Sequence, residues 1–152
     1  MSDNVFTSSV FYQDPKAALE WLKNAFGFEL SMLIESEDVR TIHSEMTVDG
    51  RGRVMVGGEW EERVRSPQSV GGKNTQAVHV DLEKDIDAHC ERARTAGAVV
   101  LQEPADQFYG ARTYRALDLE GHMWTFSQWL RDVPRAEAEQ AIGAEIYAPA
   151  WK

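Results

Sequence analysis

Few side chains in this sequence have the type and spacing for chemistry. There is one cysteine, Cys90, and there are four histidines, His43, His79, His89 and His122. A lone cysteine cannot close an intramolecular disulfide, which fits a reducing compartment and points to the cytoplasm. Cys90 falls in a predicted helix with no activating neighbour, so it reads as an inert packing residue; a reactive thiol needs a lowered pKa and access. No nucleophile sits with a base, and no pair of carboxylates has the spacing of a general acid and base. The glycine pairs Gly57-Gly58 and Gly71-Gly72 lack the surroundings of a phosphate-binding loop. Arg51-Gly52-Arg53 reads as a charged turn.

The elements that would position these residues recur along the chain. Val5 to Tyr12 reads as a strand, rich in pleat-favouring types. Asp14-Pro15 opens a helix whose apolar positions Ala18, Leu19, Leu22, Ala25 and Phe26 have helical spacing, and Gly27 stops it. Phe28 to Ile34, Thr41 to Val48 and Arg53 to Val56 follow as strands, the last two joined by an Asp49-Gly50 hairpin turn. Glu61 to Asn74, with its glycines and Pro67, reads as a linker. Then the order restarts. Ala77 to Leu82 is a strand and Asp85 to Ala96 a helix ended by Gly97. Ala98 to Gln102, Arg112 to Leu117 and Met123 to Gln128 are strands, with Glu120-Gly121 in the last turn. Gly27 and Gly97 are spaced like Gly50 and Gly121 to within one residue. That agreement of order and spacing indicates a duplicated unit. The expected organisation is a first module at 1–60, a linker at 61–75, a second module at 76–130, and a C-terminal helix and tail at 131–152. All of it fits one compact domain. Pro134 to Ala141 reads as the C-terminal helix. Its apolar tail, Ile146 to Trp151, is expected to pack on the body or on a partner.

The closing segment Asp118-Leu-Glu-Gly-His-Met-Trp-Thr-Phe126 resembles the last hairpin of glyoxalase and bleomycin-resistance-like proteins, the vicinal oxygen chelate superfamily. Tyr109-Gly110-Ala111-Arg112 ahead of it, and Ala93 to Ala98 at a helix exit, are similar to the same group. The resemblance extends to about Leu130. It implies an α+β fold of two βαβββ modules, with a curved mixed sheet around a cavity and helices on the outer face. Many members are dimers. In metal-dependent members the ligands are His, Gln or Glu from four places. Carried over, these fall at about Thr7, at Gln76, at Thr125 and within Val54 to Gly57. Threonine is a poor primary ligand, and a glutamine alone does not hold a divalent ion, which wants imidazole, carboxylate or thiolate donors. The expectation is therefore no metal and no cofactor.

If Thr125 faces the cavity, Met123 and Ser127 share its face, because strand residues two apart do. Trp124 and Phe126 then point into the core. A two-residue turn would force positive φ on Glu120, so a three-residue turn, Leu119-Glu120-Gly121, fits better. That turn sets Arg115 opposite Thr125 and puts Thr113 on the same face. A one-residue slip would substitute Arg112 and Tyr114. A guanidinium in a concave pocket is a fork for carboxylate or phosphate. Equally, Arg115 can be read as half of a structural ion pair with an acid such as Glu45. Trp60 and Tyr109 stand where aromatic residues would line a pocket mouth or seal an edge.

Three functions follow. The first is metal-free binding of a small anionic or aromatic molecule by Arg115, Thr7, Gln76, Thr125, Thr113, Ser127, Trp60 and Tyr109. The second is a metal-dependent lyase, isomerase or dioxygenase; the third is a protein-interaction module built on the apolar tail. A homodimer is expected, because sheet edges and apolar surface need cover. The net charge of −9 argues against nucleic acid as a partner. The absence of a long apolar run argues against a membrane.

Overall fold

The computed structural model describes residues 4–35, 37 and 43–152. Thr41 and Ile42, read as the start of a strand, lie outside them. Eight strands and three α-helices follow in the order β1 (Ser8–Tyr12), α1 (Pro15–Phe26), β2 (Glu29–Ile34), β3 (His43–Val48), β4 (Arg51–Gly58), β5 (Val78–Leu82), α2 (Ile86–Thr95), β6 (Val99–Asp106), β7 (Ala111–Leu117), β8 (Met123–Trp129) and α3 (Arg135–Ile142). They form two four-stranded mixed sheets, ordered β1-β4-β3-β2 and β5-β8-β7-β6. Each module pairs its first strand in parallel with its last. The sheets do not close into a barrel.

Local chemistry accounts for these elements. The Asp14 side chain caps α1 by accepting from the Ala17 N–H, Pro15 opens the helix, and Gly27 closes it in the left-handed conformation. Gly110, before β7, has φ 98°, and a Cβ there would come within 2.1 Å of the Arg131 carbonyl, so no other residue fits.

Several bounds differ from the sequence reading. β1 begins at Ser8, with Val5 and Phe6 left exposed. β4 extends from Arg51 to Gly58, because Gly52 at φ 66° absorbs a bulge that lets pairing continue to the turn. β6 runs on to Asp106 through two register shifts. The linker carries a 3-10 turn at Pro67–Val70. In the tail, the Trp151 indole N–H donates to the Val133 carbonyl at 2.6 Å, whereas Tyr147 is 93% exposed.

One core joins the modules. α1 and α2 lie on the same side of their sheets and touch each other. Phe26, at the end of α1, packs edge-on against Trp124 and Phe126 of β8. His89 of α2 bridges the same seam. Its Nε2–H donates to the Phe26 carbonyl at 2.8 Å, which leaves Nδ1 to accept from the Tyr114 hydroxyl at 2.6 Å. Burial lowers the pKa of His89 and raises that of Tyr114, so both are neutral. Cys90 is buried in this core and its thiol pKa is raised by burial, the opposite of activation.

Candidate functional site

The sheet faces turned away from the helices carry the polar residues. On β7 and β8, Tyr114, Trp124 and Phe126 point into the core, so Thr113, Arg115, Thr125 and Ser127 take the other face. The turn decides this. Asp118 N–H donates to the His122 carbonyl and Gly121 N–H to the Asp118 carbonyl, which closes a three-residue turn with Gly121 at φ 88°. Arg115 therefore pairs with Thr125, and Thr113 with Ser127.

The half-buried Arg115 donates from Nε to Thr125 Oγ1 at 3.3 Å. Among the described residues no carboxylate pairs with it. Glu45 is engaged elsewhere, 3.6 Å from both His43 and Arg53. Thr113 accepts from the Gln107 amide at 2.9 Å and the Gln102 amide at 3.3 Å. Sequence reasoning missed both glutamines, since the register shifts of β6 choose which of its side chains reach β7. Arg112 and Tyr114, the alternatives under a slipped register, face the helices. Arg112 binds Asp87 and Asp106, each at 2.9 Å, and Tyr114 holds His89.

The other candidates are not joined to this cluster by hydrogen bonds. Thr7 Oγ1 accepts from Arg53 Nη2 at 3.1 Å on the first sheet, and the Gln76 amide donates to the Ser9 carbonyl at 2.6 Å. Trp60 is 58% exposed beyond β4. Tyr109 sits edge-on to Phe108 in the loop before β7.

These places do not fit a divalent metal. Thr7 and Thr125 each face a guanidinium, and Gln76 spends its amide on a backbone carbonyl. A cation there would meet a fixed positive charge, and Thr7, Gln76 and Thr125 themselves offer it no anionic donor. Elsewhere among the described residues, the acid and thiol groups of Cys90, Glu91 and Glu103 come close together. Arg94 already binds both of those carboxylates, at 3.3 and 2.7 Å, so this cluster is an ion-pair network.

The closing hairpin has a different task, which motif reading alone did not give. Asp118 Oδ2 accepts from the Tyr12 hydroxyl at 2.6 Å and the Trp124 indole at 3.0 Å, while Oδ1 takes the N–H groups of Glu120 and His122. The Glu120 carboxylate accepts from the N–H groups of Gln13 and Asp14 and from the Ser66 hydroxyl. His122 Nε2–H donates to the Phe11 carbonyl at 2.6 Å. The hairpin of the second module thus clamps the end of β1. Burial and the neighbouring Asp118 charge push the Tyr12 pKa well up, fixing it as a donor.

The fold and this hairpin define the class. The profile of the Glyoxalase/Bleomycin resistance protein/Dioxygenase superfamily matches residues 5–126, and the chain belongs to that superfamily. An uncharacterized protein of Mycobacterium tuberculosis (strain ATCC 25618 / H37Rv) is 27% identical over 87% of this chain and 78% of its own length. Among solved structures, TioX from Micromonospora sp. ML1 is 33% identical with a TM-score of 0.65, covering 86% of this chain and 99% of that one. TnmS3, an antibiotic binding protein from Streptomyces sp. CB03234, has a TM-score of 0.61 at 20% identity, covering 84% of this chain and 96% of its own. That last likeness is one of fold. No helix among the described residues is long and apolar enough to cross a membrane.

Proposed function

We propose that this protein binds a small organic molecule, anionic or aromatic, on the open face of the second sheet, without a metal and with Arg115 as the anchor. The observation that carries this reading is the half-buried guanidinium with a threonine hydroxyl and no carboxylate among its described partners. Partial burial of a cation costs free energy unless an anion answers it. A ligand carboxylate or phosphate would do so in bidentate geometry. Thr113 and Ser127 flank the anchor as hydrogen-bonding groups, and Trp60 and Tyr109 remain candidates for the mouth. TnmS3, which shares the fold, is an antibiotic binding protein.

The test is calorimetric titration with paired carboxylate and neutral ligands of one scaffold. Arg115→Met should weaken the carboxylate by about 2 to 3 kcal/mol, the scale of a charged hydrogen-bonded pair, and spare the neutral analogue. Equal losses would show that Arg115 only shapes the face. The reading without metal, against a metal-dependent lyase, isomerase or dioxygenase, rests on the donor chemistry at Thr7, Gln76 and Thr125. Elemental analysis finding about one transition ion per chain after dialysis would reverse it.

We further propose a homodimer in the cytoplasm. The edge strands support an association: Leu30, Met32 and Ile34 of β2 and Val99 and Leu101 of β6 are all 44–56% exposed. Light scattering at micromolar concentration that returned a 17.2 kDa monomer would refute it.

A further inference from the structure

The register of the second sheet lays out its open face in rows. Gln102 of β6 stands opposite Arg115 of β7, and Arg115 opposite Thr125 of β8. Two residues along, Val99, Leu117 and Met123 form an apolar row on the same face. On the β5 side, His79 stands opposite Thr125 and Asp81 opposite Ser127. A ligand on this face therefore meets the Arg115 guanidinium, an apolar shelf beside it, and polar groups on both flanks.

Contacts fix the chemistry of the β6 flank. Gln102 Nε2–H donates to the Thr113 carbonyl and to Thr113 Oγ1, both at 3.3 Å. Gln107 Nε2–H donates to Thr113 Oγ1 at 2.9 Å and to the Ala105 carbonyl at 3.4 Å. A backbone carbonyl only accepts, so each amide must turn its nitrogen toward it, and the orientation is set. Both amide oxygens are left as acceptors. Neither receives a hydrogen bond from a described residue. Neither is shut away from solvent, since no buried side-chain oxygen among the described residues lacks a partner. Gln102 is also close to the anchor, because side chains directly opposite on paired strands start about 5 Å apart. Arg115 itself spends only Nε, on Thr125, so its outer nitrogens remain donors. Donors beside acceptors are the complement of a carboxylate with an O–H or N–H next to it.

We propose that the ligand of this face is a small acid with an apolar body and a hydroxyl or N–H donor beside its carboxylate, and that Gln102 and Gln107 receive that donor as specificity-determining residues. The inference rests on the reading of Arg115 as the anchor. The carboxylate takes the outer nitrogens of Arg115, the apolar body lies over Leu117 and Met123, and the donor points toward β6. A ligand that covers the amide oxygens without a donor strips them of water and gives nothing back.

The test is calorimetric titration of the full chain with mandelate, its methyl ether 2-methoxy-2-phenylacetate, and phenylacetate. Mandelate should bind about tenfold tighter than either of the others, since both lack the donor. The ether is larger and phenylacetate smaller, so size does not produce that order. Gln102→Met combined with Gln107→Met should bring all three within about twofold of one another. Each single variant should narrow the preference in part, which keeps the test alive if the double variant fails to fold. Arg115→Met should weaken all three alike and leave their ratio unchanged. The inference is overturned if the unaltered protein binds the three acids equally, or if folded glutamine variants keep the preference for mandelate. It is also overturned if Asp81→Asn or His79→Ala abolishes the preference, which would put the donor over β5. Equal binding that still depends on Arg115 sinks this inference alone. If none of the acids binds, or Arg115→Met spares them all, the anchor reading falls and this inference with it.

Discussion

The hairpin around Glu120 and the hairpin around Gly50 occupy equivalent places in two copies of one unit, yet one seals its junction and the other does not. Asp118 and Glu120 are 5% and 7% exposed, and between them they receive seven hydrogen bonds, from Tyr12, Trp124, Gln13, Asp14, Ser66 and the turn's own backbone. Val48, Gly50 and Gly52 offer nothing comparable to Leu82 and Glu83. A duplicated fold therefore does not fix where its modules are joined; a few side chains on one turn decide that. A buried acid is tolerable only when its lone pairs are answered, and the second hairpin meets that condition through donors from both modules.

The largest expected effect tests the sealed side. Asp118→Ala leaves the Tyr12 hydroxyl, the Trp124 indole and two backbone N–H groups without their acceptor. It should destabilise the protein by about 3 to 5 kcal/mol, the cost of breaking a buried charged network. The measurement is the urea midpoint, and a loss below about 1 kcal/mol would mean the clamp is not what joins the modules.

A middle-sized effect concerns His89, which ties α2 to the end of α1. Its folded pKa is lowered, so the unfolded chain takes up a proton first as the pH falls. Stability should hold above the ordinary histidine value of about 6.5 and fall as the pH drops below it toward the lowered folded value. His89→Gln should flatten the stability profile in that window. A wild-type profile that stays level from neutral pH down to about 5 would remove the histidine from the account.

The smallest effect belongs to the open side. Arg51→Ala removes the Arg51–Glu83 ion pair across that junction, between side chains 56% and 61% exposed. Unfolding free energy should change by less than about 0.5 kcal/mol, since exposed pairs contribute little. A loss near that of Asp118→Ala would erase the contrast between the two junctions.

The repeat was legible because its signals are local. Gly27, Gly50, Gly97 and Gly121 mark backbone that needs positive φ, and that requirement acts within a few residues of each. The turn at Gly121 even carried the pairing of Arg115 with Thr125, since strand register propagates from a turn at fixed period. Propagation stops at a bulge, which is why the reach of Gln102 and Gln107 to Thr113 was hidden.

By itself, then, the sequence determined the α+β duplication, the superfamily and the face on which Arg115 stands relative to Thr125. The tertiary structure decided which acids and bases meet. Asp118 finds Tyr12, Arg53 finds Thr7 in place of an open ligand position, and Glu45 goes to Arg53 and His43 rather than Arg115. Such pairings join residues far apart in the chain, and they depend on how two modules pack, which turn chemistry and periodicity do not encode.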